Sequence, residues 1–202
     1  MKTFFESISA GVLITIGGAV FLACDSRYMG AVFFSVALLC ICYKGYALFT
    51  GRIGYFVEDH TAKNVKNLVI CLVGNLLATF LLGMLLRFAI PSMGDAANTL
   101  CANKLTQNIV STLIRAFFCG ILMYLAVSIY KEKNTVVGIL FCVPVFILAG
   151  FEHSIADMFY FGASGIFDLK VLYFMAAVVV GNTFGGMLLP LIGKVGKKDE
   201  KK

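Results

Sequence analysis

The sequence predicts an all-α membrane protein: six transmembrane helices in an inverted 3+3 repeat, with helices broken midway in spans two and five. Three observations carry this. The 202 residues are 60% hydrophobic, where soluble domains run nearer ~45–50%, and the mean hydropathy is +0.91. The apolar residues gather into six runs, each long enough to cross a hydrocarbon core of ~30 Å at a rise of ~1.5 Å per residue. Two of those runs, each the middle of three, are interrupted by glycine and polar residues, the pattern of an inverted repeat with its pathway at the breaks. Residues 1–202 read as a single transmembrane channel domain.

The first run, residues 4–24, follows Lys2 in the manner of a signal peptide but continues without a small-residue cleavage site, so a retained span is expected. Asp25-Ser26-Arg27-Tyr28 leads into the second run, 31–56, which Leu48-Phe49-Thr50-Gly51-Arg52-Ile53-Gly54 interrupts. The third run, 68–90, is followed by the longest connection, Pro91 to Gln107. Runs four and five, 108–130 and 136–161, are joined by Lys131-Glu132-Lys133-Asn134, and run six covers 171–192. Lipid offers the backbone no hydrogen-bond partner, so each run must be helical. The strands of a membrane barrel would alternate apolar and polar residues, and these do not.

The net charge of +6 belongs mostly to loops and the tail. The loops after spans two and four, the C-terminal tail and Lys2 fall on one side of a six-span chain. The positive-inside rule puts that side, with both termini, in the cytoplasm of a cell whose inner membrane holds the protein. The basic stretch Lys194 to Lys202 has no aromatic interleaving, which argues against nucleic acid as a partner. Of seven cysteines, Cys40, Cys42, Cys71, Cys119 and Cys142 lie in apolar runs, where cysteine acts as a small hydrophobe. No metal site or cofactor is expected. No nucleophile–base pair appears either, which argues against an enzyme.

The chemistry concentrates at Gly150-Phe151-Glu152-His153-Ser154-Ile155-Ala156-Asp157-Met158. An ionisable side chain at the bilayer centre costs roughly 2.5–3.5 kcal/mol on insertion scales, so three within six residues need a polar lumen, a partner or a break. His153 is read as facing the permeating solute. Glu152 points about 100° round an ideal helix from His153, so it is read as structural, holding backbone donors at the break. Asp157 lies one helical turn from His153. Lys44, one turn before the first break, reads equally as the partner of Asp157 or Glu152 and as a pore-lining cation. Arg87 is expected at the interface, and Arg115 against an acid or a neighbouring subunit. Asn75 and Asn182 follow Gly74 and Gly181 inside spans three and six, as helix-bridging or pore-facing groups.

The motifs GFEHSIADM, LFTG after Gly45, RAFFCGILMYLAV from Arg115 to Val127 and GNTFGG from Gly181 to Gly186 resemble the formate/nitrite transporter family over nearly the whole chain. The resemblance implies a homopentamer whose protomers each hold an aquaporin-like pore for small monovalent anions or their conjugate acids. It implies that His153 is the central pore histidine, Thr50 its hydrogen-bond partner, Asn182 the pore asparagine and Lys104 the lysine drawing anions into the outer vestibule. It implies one constriction at Leu38 and Phe49, with Phe34 nearby, and another at Val127 and Phe146. The chain departs from the family pattern at Lys44, Ala47, Tyr124 and Asp157, with Asp157 standing for an asparagine; Lys44 and Asp157 are read as possible compensating charges. Apolar rings pass neutral species more easily than ions. The function expected is therefore passive, proton-coupled transport of formate, nitrite or hydrosulfide. The alternatives are a carrier for acetate or lactate and a non-conducting scaffold or sensor.

Overall fold

A computed structural model describes residues 1–199, so the last residues of the basic tail, 200–202, lie outside it. Helix α1 (Lys2–Ala23) crosses from the end that carries the N-terminus, and α2 (Arg27–Lys44) returns. The chain then breaks, resuming as the short α3 (Phe49–Arg52) and a 3-10 turn (Ile53–Val57). Helices α4 (Ala62–Ala89) and α5 (Pro91–Leu105) complete the first half. The second half repeats this with α6 (Ile109–Lys133), α7 (Val137–Leu148), a break, α8 (Ser154–Ser164) and α9 (Leu169–Asp199). Five of these helices, α1, α2, α4, α6 and α9, are long and apolar enough to cross a membrane.

Local chemistry sets the ends. Ser26, Thr61 and Asn108 cap α2, α4 and α6 by accepting from the backbone N–H three residues on. At the first break Gly45 takes φ 68° and at the second Gly150 takes φ 72°, left-handed values that glycine adopts without steric cost.

The stretch Pro91–Gln107, expected as a connection, is mostly helix. Proline sits at the first helical position of α5, where its missing N–H costs nothing. Met93, Ala97 and Cys101 then recur every four residues as a buried stripe. That stripe packs on α8 and α4, which brings the end of α5 over the second break.

The two halves bury corresponding contacts. Helix α1 packs on α4, with Gly74 against Ser7 and Gly11 against Asn75 and Ala78. Helix α6 packs on α9 in the same way, with Gly181 against Ala116 and Gly120 against Asn182 and Gly186. Small residues let backbones approach where lipid supplies no hydrophobic drive. The closest approach is at Gly185, where an added Cβ would fall 1.9 Å from the Phe117 carbonyl oxygen. Gly185→Ala is expected to destabilise the α6–α9 pair by about 1–3 kcal/mol of overpacking, read as a lower melting temperature in detergent.

The outer surface is apolar. On α4, Val69, Val73, Leu77, Leu81, Leu85 and Phe88 form one stripe, each between 44% and 87% exposed. A patch that long in water would be a site of association. Facing lipid or a neighbouring copy, it is at home.

Candidate functional site

Each break leaves a helix start, α3 or α8, inside an apolar interior, with N–H groups that no turn of helix satisfies. An asparagine meets each one. The Phe49 N–H donates to Asn75 Oδ1 at 2.9 Å, and Asn75 Nδ2 donates to the carbonyls of Ser7 and Ala47, both at 2.8 Å. The Ser154 N–H donates to Asn182 Oδ1 at 2.9 Å, and Asn182 Nδ2 donates to the carbonyls of Ala116 and Glu152, both at 2.8 Å. Each side-chain amide thus ties the helix beyond the break to the residue before it and to a neighbouring span. Both asparagines are fully buried. In the structure Asn182 is a staple behind the break rather than part of a cavity wall.

His153 is the N-cap of α8, in extended backbone at φ −114° and ψ 110°. Its Nδ1 accepts from the Ala156 N–H at 3.1 Å. A nitrogen that accepts carries no hydrogen, so in the neutral ring the hydrogen lies on Nε2. That Nε2 donates to Thr50 Oγ1, 2.9 Å away on α3. The ring also stacks on Phe146, with centroids 5.5 Å apart and planes 26° apart. Two short helices, one from each half of the chain, therefore meet through a histidine and a threonine.

The pair lies between two cavities. One opens at the end that carries the termini, with a volume of about 310 Å³, and is walled by Leu38, Leu48, Gly51, Val127 and Tyr130 with Arg52 and Lys131. Arg52 donates to the Gly45 carbonyl at 3.2 Å and lies 3.5 Å from Glu6, while Lys131 Nζ sits 3.9 Å over the Tyr55 ring. The other cavity opens at the far end with a volume of about 530 Å³, and His153, Phe146, Lys104, Glu152 and Asp157 line it.

The expected constrictions regroup. Leu38 and Val127 share the first cavity, and Val127 rests on Gly51. Phe146 belongs to the second, backed by Phe34 in an edge-to-face contact at 6.1 Å. Phe49 lines neither cavity; it is buried in the core beside its backbone bond to Asn75.

The charges also regroup. Lys44 is exposed at the end of α2 and makes no ion pair with Asp157 or Glu152. The cation they meet is Lys104, brought over the break by α5. Its Nζ contacts Glu152 Oε2 and lies 2.9 Å from Asp157 Oδ1. Burial works against the Lys104 ammonium, but Asp157 and Glu152 outweigh it and hold its pKa above the ordinary lysine value. Gln107 Nε2 donates to Glu152 Oε1 at 2.7 Å. Glu152 therefore holds Lys104 and Gln107 with its carboxylate, not backbone donors as expected. It also shares a cavity with His153, because the 100° rule applies only inside a helix and this stretch is extended.

Among the described residues Arg115 pairs with no acid: it donates to the Gly150 carbonyl at 3.0 Å and to Ser111 Oγ at 3.2 Å. Arg27 donates to the Ile147 carbonyl at 3.0 Å. Both cations serve the carbonyl end of α7, where a helix dipole favours positive charge. Arg87 reaches the Ala163 and Ser164 carbonyls at the end of α8 in the same way. Sequence reading missed Gln107, Arg27, Arg52 and Lys131 as cavity residues. Only Gln107 left a signal, one turn beyond Lys104.

Compared with known proteins, residues 1–195 match the family model described as formate/nitrite transporter. The chain is 27% identical over 94% of its length, and 84% of the relative's, to the uncharacterized transporter YwcJ of Bacillus subtilis. It is 24% identical over 90% of its length, and 75% of the relative's, to the nitrite transporter NirC of Escherichia coli. Among solved structures it resembles a pentameric formate channel with formate bound, with a TM-score of 0.79 at 22% identity, covering 100% of this chain and 97% of that one. It also resembles an FNT family ion channel, with a TM-score of 0.78 at 20% identity, covering 97% and 90%. These relatives are transporters and channels, not enzymes.

Proposed function

The chain belongs to the formate/nitrite transporter family, and on that premise we propose passive, proton-coupled transport of small monovalent anions or their conjugate acids, of the formate, nitrite and hydrosulfide class. Each protomer of a homopentamer provides its own path, in the inner membrane of the cell, with both termini cytoplasmic. The exposed apolar stripes on the long helices suit both lipid and neighbouring protomers.

The observation that carries this reading is the His153–Thr50 bond, set between two cavities that open at opposite ends. Beside the charged groups, each cavity presents apolar side chains: Leu38 and Val127 toward the termini, Phe146 toward the far end. An anion between such walls loses hydration, which favours its protonated, neutral form. The polar group available to it there is the Thr50 hydroxyl, held in place by His153. The imidazole enters as a neutral donor, because Nδ1 is already committed to Ala156. Thr50 accepts from it and keeps its own O–H to offer a solute.

The test is a proteoliposome flux panel of formate, nitrite, hydrosulfide, acetate and lactate at two pH values. Flux of the formate class is expected to rise on acidification. A permanently charged strong-acid anion that outruns formate would overturn the proton coupling. His153→Ala loses the N-cap, the bond to Thr50 and the stacking on Phe146, so its melting temperature is measured beside its flux. It is expected to change formate flux or its pH dependence by about tenfold, since one hydrogen bond to a charged group is worth about 1.5–3 kcal/mol. An unchanged profile would favour a scaffold.

A further inference from the structure

The outer cavity holds an unequal set of charges. One ammonium, Lys104, meets two carboxylates, Glu152 and Asp157, each only 2% exposed. Glu152 is fully served, since one oxygen meets Lys104 and the other accepts from Gln107. Asp157 is not. Its Oδ1 faces Lys104 at 2.9 Å, while its Oδ2 is buried with no donor among the described residues.

The surroundings offer no further compensation. Arg27 and Arg115 line the same cavity but are committed to the carbonyls of Ile147 and Gly150. Cys101 from α5, Cys119 from α6 and Tyr160 from α8 lie near the pair, and thiols and phenols are ordinarily neutral at physiological pH. His153 has both ring nitrogens engaged. A second ionised carboxylate here carries a desolvation cost that the one shared ammonium only partly offsets.

We propose that Asp157 is a proton-binding site: Oδ2 carries an exchangeable proton at neutral pH, and loss of that proton closes the outer cavity to anions. The step is a simple protonation. A lone pair of Oδ2 takes a proton from cavity water to form an O–H bond, and the cluster passes from one excess negative charge to neutral. No other bond changes. With the proton on, the cavity wall does not repel an incoming anion; with it off, a buried negative charge stands at the entrance. Asp157 is thus a specificity-determining residue that acts on entry, ahead of the His153–Thr50 pair. The effect on transport rests on the transport reading above, whereas the bound proton does not.

The test has two arms. Infrared difference spectroscopy on the reconstituted protein is expected to show a protonated-carboxyl C=O band near pH ~7 that fades on alkalinisation and is absent from Asp157→Asn. Formate flux in proteoliposomes at about pH 8 should be roughly tenfold faster in Asp157→Asn than in the unaltered protein, the two converging in acid, as expected for removing a buried unit charge from the path. No such band in the unaltered protein, or a band that survives in Asp157→Asn, overturns the proposal, the latter by placing the proton on Glu152. Parallel pH profiles overturn the entry role. If neither protein moves formate, the transport reading fails, and the infrared band still decides where the proton sits.

Discussion

Asn182→Ala is expected to destabilise the protomer by about 2–6 kcal/mol, among the largest effects of any single side-chain truncation here. The reason is a count of orphans. The amide serves the Ser154 N–H and the carbonyls of Ala116 and Glu152, all in an interior closed to water. A buried polar group left unpaired costs about 1–3 kcal/mol, and here the Ser154 N–H and the Glu152 carbonyl lose their partner together, while the Ala116 carbonyl keeps its place in the α6 ladder. Asn182→Asp is no remedy, because a carboxylate accepts from Ser154 but has no hydrogens for the two carbonyls. Asn75→Ala should behave alike at the first break, since it releases the Phe49 N–H and the carbonyls of Ser7 and Ala47. The check is thermal unfolding of the detergent-solubilised protein, with both variants falling well below any apolar-to-alanine change on the lipid-facing stripe of α4. A variant of either asparagine that melts with the unaltered protein would mean that water reaches the break.

Those two asparagines mark how far the sequence can be read. The six spans are legible because lipid imposes a crude, long-range requirement that composition alone reveals. The breaks are legible for the same reason: glycine, threonine, glutamate and histidine inside an apolar run conflict with the solvent. A polar side chain at a fixed depth can be recognised from sequence, but its bearing around the helix and its partner cannot. Lys44 and Lys104 show the difference. Lys44 reads as buried because it lies inside the apolar run 31–56, yet α2 stops there and Gly45 turns the chain, so the side chain emerges at the surface. Lys104 looked like a loop residue because its neighbourhood is polar, yet the stripe of Met93, Ala97 and Cys101 makes that stretch a helix and lays it over the second break. The angle assigned between Glu152 and His153 failed for a related reason. It assumed a continuous helix at the place where the glycine at 150 ends one.

Lys104→Met should be the most damaging charge removal, at about 3–5 kcal/mol. The substitution keeps the side chain's bulk, so no large cavity accounts for the loss. What it removes is the only ammonium within reach of Glu152 and Asp157 among the described residues. Two carboxyl groups then share a buried site with Gln107 as the remaining donor to either. The loss is therefore a penalty on what stays behind rather than the worth of the bond itself, and that makes it separable by experiment. Adding Asp157→Asn to Lys104→Met takes away one of the stranded carboxyls and supplies an amide donor, so the double variant should recover about 1–3 kcal/mol of the loss. Coupling of that sign cannot arise from packing alone, since asparagine fills nearly the same space as aspartate. The measurement is a double-mutant cycle in melting temperature. Additive losses for the two changes would separate Lys104 from Asp157 energetically and leave the buried triad without a role in holding α5 over the break.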